Sequence, residues 1–223
     1  YVCSKTRTLS LSYTSTKSER PAGIPPPSIA IIQLPTSNSQ RHNTEKDTTE
    51  ALIVAKQEGI YCGTPMVEYV YSEMHPGISI TVNREEGSRV QAGDTVITVS
   101  GNTRAILGGE RTVLNFIQRM SGIATRTRQI VDLLQGTGIK LLDTRKTAPG
   151  LRVPDKYAVA CGGGTNHRMG LFDMVMIKDN HIKAAGGISA AVTMVRRQHG
   201  ETYRVEVETT SLDQVREIGR AHV

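Results

Sequence analysis

Between Asp143 and His181 the chain concentrates groups suited to gripping a small, highly charged anion. The run LLDTRKTAPGLR carries Arg145, Lys146 and Arg152, the run ACGGGTNHRMGL carries His167 and Arg168, and Lys178 and Lys183 follow FDMVMI. Arg145 and Arg168 offer planar forks that meet a carboxylate or phosphate at two points, whereas Lys146 and Lys178 act as point charges. Cations gathered in one cleft repel one another unless an anion sits among them, so the pattern argues for a ligand. Lys156, Lys183, Arg196 and Arg197 read instead as surface charges. Gly162, Gly163 and Gly164 leave two readings open, a cradle of backbone N–H groups for phosphate or a helix C-cap with a turn. His167 either donates to the anion or is a hydrogen-bonded loop histidine. Asp179 and Asn180 are natural N-caps for the helix that follows.

These residues need strand ends to hold them. The order from residue 139 is regular: IKLLDT, then a helix over DKYAVAC; MVMIKD, then a helix over AAVTMVRRQH; YRVEVE, then a helix over SLDQVREI. Strand and helix alternating at this spacing predict βαβ units with parallel strands, in an open α/β sheet or an α/β barrel. In both, ligands bind at the carboxyl ends of the strands, which is where Arg145, Lys146, Lys178 and Glu208 fall. In YRVEVE, Glu206 and Glu208 share one face and Val205 and Val207 the other; either a packed valine face turns the carboxylates toward a lumen, or this is an edge strand with a wet face. Upstream, GISITVN and Val96–Val99 read as strands around turns at Gly87 and Gly93. Val113, Leu114, Ile117, Met120 and Ile123 keep a helical rhythm that starts near Gly109 and runs to Gly136. Residues 1–47, rich in Ser, Thr and Pro, are expected to be a disordered or spurious segment.

Composition narrows the partners. The formal net charge is +6, yet aromatic residues make up 4% and Trp is absent, so stacking platforms for nucleic acid are scarce and an anionic substrate is the better match. A nucleic-acid module also predicts a continuous basic stripe rather than clusters at strand ends. The three cysteines lack CxxC spacing, which suggests neither a disulfide framework nor a zinc site and fits a reducing cytoplasm. No apolar stretch approaches membrane-spanning length.

Four segments, ERTVLNFIQRMSGIAT at 110–125, DTRKTAPGLR at 143–152, CGGGTNHRMGL at 161–171 and IKDNHI at 177–182, closely resemble the quinolinate phosphoribosyltransferase family, the carboxylating nicotinate-nucleotide pyrophosphorylases. The likeness extends from about residue 48 to the end. It implies an α/β fold: an N-terminal α/β sandwich over 48–122, followed over 123–223 by an incomplete open α/β barrel with parallel strands, because the barrel's later strands are expected beyond Val223. It implies transfer of a phosphoribosyl group from phosphoribosyl pyrophosphate to quinolinate with decarboxylation, using Mg²⁺, in NAD biosynthesis. By the same resemblance Arg145, His167, Arg168 and Lys178 hold the quinolinate carboxylates, with Arg111 reaching in from a neighbouring subunit of a homodimer or higher homo-oligomer. Lys146 and Lys178 meet the phosphoribosyl donor, and Glu208 faces its ribose hydroxyls and the metal. The alternatives are an inactive fragment of such an enzyme, or a nicotinate-using or molybdenum-associated protein of the same fold.

Overall fold

The structure, a computed structural model, describes residues 8–10, 30–33 and 48–220. Its elements in chain order are β1 (Thr8–Ser10), β2 (Ala30–Gln33), β3 (Thr48–Ala55), β4 (Gly59–Ile60), α1 (Thr64–Met74), β5 (Ser79–Val82), β6 (Arg89–Val90), β7 (Thr95–Asn102) and α2 (Thr103–Leu133). There follow β8 (Lys140–Leu142), α3 (Arg152–Cys161), β9 (Val175–Ile177), α4 (Asp179–Ala185), α5 (Ile188–His199), β10 (Val205–Val207) and α6 (Leu212–Arg220). The chain divides into two compact units, one spanning Arg7–Asn166 and one built from His167 onward. β1 and β2 fall within the stretch expected to lack structure, whose remaining residues lie outside the described ones.

In the first unit an antiparallel sheet of order β2-β3-β7-β5 packs against α1 and α2. The segment TTEALIVA, ambiguous by periodicity, is the central strand β3. Ala51, Ile53 and Ala55 alternate into the core opposite Val96, Ile97 and Val99, as a strand's period of two requires. Burying side chains such as Ile53, Ile97, Ile106 and Ile117 contributes about 1.5–3 kcal/mol each. Helix α2 begins six residues before the expected Gly109, because the Asn102 side chain accepts from Ala105 N–H at 3.0 Å and caps it. Gly109 is no breaker here; a Cβ on it would sit 2.7 Å from the Tyr71 ring. One flank of α2 (Val113, Leu114, Ile117) belongs to the sheet core, and the next turns (Met120, Ala124) to a second cluster with Ile60, Cys62 and Ala158. The helix therefore runs unbroken across residues 122 and 123, where the border between sandwich and barrel was expected. β8 pairs in parallel with β1.

In the second unit β9 and β10 lie side by side in parallel, joined through α4 and α5, which is the βαβ arrangement expected. Val205 and Val207 pack on a core of Ile177, Ile188, Ala191 and Val192, while Glu206 and Glu208 are exposed on the opposite face. Among the described residues no helix is long and apolar enough to cross a membrane.

Candidate active site

In the first unit the loop after β8 carries Arg145 and Lys146, and three side chains of α3 hold it from behind. Lys156 is 2% exposed and pairs with Asp143, also buried, so its reading as a surface charge is corrected. The reason is topological: Lys156 lies on the inner face of α3, beneath the end of β8. The Asn166 amide, oriented to suit its neighbours, donates to Asp143 Oδ2 and to the Lys156 carbonyl, both at 2.8 Å. One residue earlier, Asp155 takes a two-point hydrogen bond from Arg119 (2.7 and 2.8 Å) and faces Ala148 N–H at 3.4 Å. This pairing holds the Arg119 guanidinium above its usual range. Arg152 donates to the Arg145 carbonyl and to Thr147 Oγ1, both at 3.3 Å, and so braces the loop. The loop thus presents Arg145 half-buried and Lys146 exposed. Arg111 is exposed on α2.

The second unit holds His167, Arg168, Lys178 and Glu208. His167 Nε2 lies 2.7 Å from Glu206 Oε2, a partner that the sequence did not assign to it. Arg168 is half-buried and meets the Met174 carbonyl and Met176 Sδ, each at 3.4 Å; both partners are neutral, so its positive charge stays unpaired by them. Asp173 ties this loop down by accepting from Met169 and Gly170 N–H at 2.6 and 2.9 Å. Lys178 follows β9 and Glu208 follows β10, and their side chains pair at 2.9 Å while remaining 46% and 58% exposed. Lys178 also occupies the N-cap position of α4, where its N–H donates to His181 Nδ1 at 3.0 Å. Asp179 is therefore in the first helical turn and is not the cap itself. A negative charge there still favours the helix dipole.

The glycine run resolves between its two readings. Gly162, Gly163 and Gly164 N–H groups donate to the carbonyls of Ala158, Ala160 and Val159 at 2.9–3.0 Å, so all three close the end of α3 and none is left for a phosphate. Their smallness serves packing: a Cβ on Gly162 would lie 2.5 Å from the Ala124 carbonyl oxygen of α2. A cavity of about 200 Å³ beside them, lined by Val131, Leu134, Ile139, Lys140, Leu141, Gly163 and Thr165, contains none of the expected ligand-binding residues. For a metal ion of the magnesium type the donors do fit: Glu206 and Glu208 supply exposed, hard oxygen atoms from one strand face, and such ions are commonly held by one or two carboxylates together with substrate phosphates.

Sequence reasoning missed Asp143, Asp155, Lys156, Asn166 and Glu206 as supports. The available signal was the adjacent pair Asp155-Lys156 on a helix whose other side must pack, where a charge is kept only when paired.

Comparison with known proteins matches residues 36–121 to the quinolinate phosphoribosyl transferase N-terminal domain and 123–223 to its C-terminal domain. The likeness therefore begins before residue 48, where the motifs alone had placed it. The chloroplastic carboxylating nicotinate-nucleotide pyrophosphorylase of Arabidopsis thaliana is 43% identical, over 94% of this chain and 65% of its own length. A probable carboxylating nicotinate-nucleotide pyrophosphorylase of Bacillus subtilis is 45% identical, over 77% of this chain and 60% of its own. The crystal structure of NadC from Streptococcus pyogenes superposes with a TM-score of 0.76 at 36% identity, covering 83% of this chain and 67% of that one. The chain spans less than two thirds of the length of either curated relative. With both domain models matched in order and a solved relative superposing across them, the chain belongs to the quinolinate phosphoribosyltransferase family.

Proposed function

We propose that the protein transfers a phosphoribosyl group from phosphoribosyl pyrophosphate to the nitrogen of quinolinate, with loss of carbon dioxide, to give nicotinate mononucleotide and pyrophosphate in NAD biosynthesis. The observation that carries this reading is the pairing of Lys178 with Glu208 at adjacent carboxyl ends of the parallel strands β9 and β10, in the unit that also holds His167 and Arg168. An exposed ion pair at that position is easily exchanged. Its intrinsic worth is only about 0–1 kcal/mol, so an anion can take Lys178 while a cation or ribose hydroxyl takes Glu208.

The roles are those the family resemblance implies, and the charges suit them. Arg145, His167, Arg168 and Lys178 bind the two carboxylates and orient the pyridine nitrogen toward the anomeric carbon. Lys146 and Lys178 bind the anionic donor, and Arg111 completes the pocket from a second copy in a homodimer. Glu208, with Glu206 beside it, would hold Mg²⁺, which when bound offsets charge on the departing pyrophosphate. Positive charge on the ribosylated nitrogen accepts the electrons released as the neighbouring carboxylate leaves, so orientation and restricted water suffice and no protein nucleophile is needed. Three cysteines, of which Cys62 and Cys161 are free thiols, support placement in a reducing compartment such as the cytoplasm.

The test is calorimetric titration of the chain with quinolinate and with nicotinate. Quinolinate is expected to bind more tightly, and Arg145→Ala or Arg168→Ala to weaken it by at least about thirtyfold, because an unpaired carboxylate costs about 2–5 kcal/mol. Unchanged quinolinate affinity in both variants defeats the assignment.

A further inference from the structure

Away from these residues, the first unit brings together three groups that the proposed reaction does not use. The ligand atoms of Cys62, Glu86 and Cys161 all lie within 4.8 Å of one another. Each is fixed by its own support. Cys62 joins β4 to α1, and Ser121 clamps its backbone, donating to the Cys62 carbonyl at 3.0 Å and accepting from its N–H at 2.9 Å. Glu86 reaches the start of α1, where Oε1 accepts from Gly63 and Thr64 N–H at 2.9 and 2.6 Å. Its Oε2 is turned toward Cys161 Sγ at 3.5 Å. Cys161 is the last residue of α3, and Gly87 lets the loop bearing Glu86 lie against it: a Cβ at Gly87, with φ of 77°, would meet the Cys161 carbonyl oxygen at 2.9 Å.

We propose that Cys62, Glu86 and Cys161 bind one thiolate-seeking divalent transition-metal ion, zinc above all, as a structural clasp. Two sulfur atoms and one carboxylate oxygen form a donor set of the kind zinc takes, unlike the all-oxygen set at Glu206 and Glu208. Tetrahedral zinc places such atoms roughly 3.5–3.8 Å apart, so the groups need to draw in by no more than about 1 Å. The Gly63 and Thr64 N–H groups orient the carboxylate as outer partners of metal ligands do. Cys62 is fully buried, whereas Cys161 is half-buried and Tyr157, one helical turn before it, is 37% exposed, which leaves a way in for the ion and for a water as fourth ligand.

The two thiols and the carboxylate crowd one another electrostatically. The neighbouring Cys161 thiol, with burial and the Glu86 carboxylate, holds the Cys62 thiol above its ordinary range, whereas the Cys62 thiol holds Cys161 below its own against burial and Glu86. A divalent ion relieves this: two protons leave to solvent as two thiolates form, and the filled site carries one net negative charge. A disulfide between the same cysteines leaves Glu86 without a part, and a neighbouring carboxylate disfavours the thiolate that begins exchange. Filling the site ties the start of α1, the loop before β6 and the end of α3 to one atom.

The experiment uses the full chain, reduced, in a Cys3→Ser background. Titration with Co²⁺ is expected to raise a thiolate-to-metal charge-transfer band that saturates at one ion per chain. Zn²⁺ should displace the Co²⁺, and excess Mg²⁺ should not. Cys161→Ser is expected to abolish the band and to lower Zn²⁺ affinity, read against a chromogenic chelator, by more than about a hundredfold; Cys62→Ser should do the same, and Glu86→Gln should cost about tenfold or more. Circular dichroism checks that each variant is folded, and half-buried Cys161 supplies the decisive variant should buried Cys62 not tolerate change. Zn²⁺ should also raise the melting temperature of the parent and leave Cys161→Ser unmoved. Absence of the band in the reduced parent, binding unaltered by Cys161→Ser, or recovery of the pair as a disulfide whose reduced form takes up no ion each overturns the proposal.

Discussion

The buried pair of Lys156 and Asp143 makes a sharp demand on stability. Their side chains are 2% and 8% exposed, so neither charge can turn to water if its partner is removed. Lys156→Met takes away the cation beside the Asp143 carboxylate and keeps the neutral Asn166 amide at 2.8 Å, and breaking a buried pair in this way costs about 3–5 kcal/mol. At a urea m-value of about 2 kcal/mol/M this shifts the unfolding midpoint of the first unit down by about 1.5–2.5 M. Asp143→Asn removes the other charge and strands the buried Lys156 ammonium. The double variant Asp143→Asn/Lys156→Met carries no uncompensated charge and is expected to be less destabilised than the sum of the singles by about 2 kcal/mol, within the roughly 0.5–3 kcal/mol found for groups in one network. The assay is equilibrium urea unfolding of all four chains, followed by far-ultraviolet circular dichroism. Additivity within about 0.5 kcal/mol would refute the reasoning, since it would mean that the two charges do not depend on one another.

Glu208→Gln breaks an exposed pair only, so it should alter stability by less than about 1 kcal/mol while weakening binding of phosphoribosyl pyrophosphate; a large fall in melting temperature with unchanged donor binding would reverse that assignment. Gly162→Ala forces a methyl group to within 2.5 Å of the Ala124 carbonyl, and a loss of about 1–3 kcal/mol in urea unfolding is expected; a neutral result would show that α2 and α3 can separate freely. Burial raises the Tyr71 phenol from 10.0 to about 12. The folded chain then keeps a proton that the unfolded chain releases, so this contribution is whole below about pH 10 and fades as pH climbs toward 12. Tyr71→Phe should flatten the alkaline fall of the unfolding midpoint, and an identical slope would contradict the burial argument.

Sequence pattern made the alternation after residue 139 legible because parallel strands between helices carry compact apolar runs, and it put Lys178 and Glu208 at adjacent strand ends correctly. It failed where two meanings share one residue type. Gly108 and Gly109 look like a helix boundary but exist to admit Met74 and Tyr71, while the true start of α2 is one Asn side chain bonding its own backbone. Gly162–Gly164 look like a phosphate loop, but only hydrogen-bond accounting shows their amides already committed to α3. Lys156 has the chemistry of a surface residue, and its burial depends on Asp143, which lies on another element and is brought near by the fold. The partnership of Cys62 with Cys161 is hidden for the same reason, since 59 to 99 positions separate Cys62 from its clamp Ser121 and from its fellow thiol.

The 31 residues of α2 span about 46 Å and pass without a break through the point where one domain model gives way to the next. Modular exchange between relatives at that junction would splice a single rod from two parents, and each half would bring an apolar stripe shaped for a different neighbour: Val113 and Ile117 for the sheet, Met120 and Ala124 for α3. Chimaeras joined inside this helix should therefore assemble poorly unless the stripes are transplanted with their partners, whereas crossovers in the turn after Leu133 keep the rod whole.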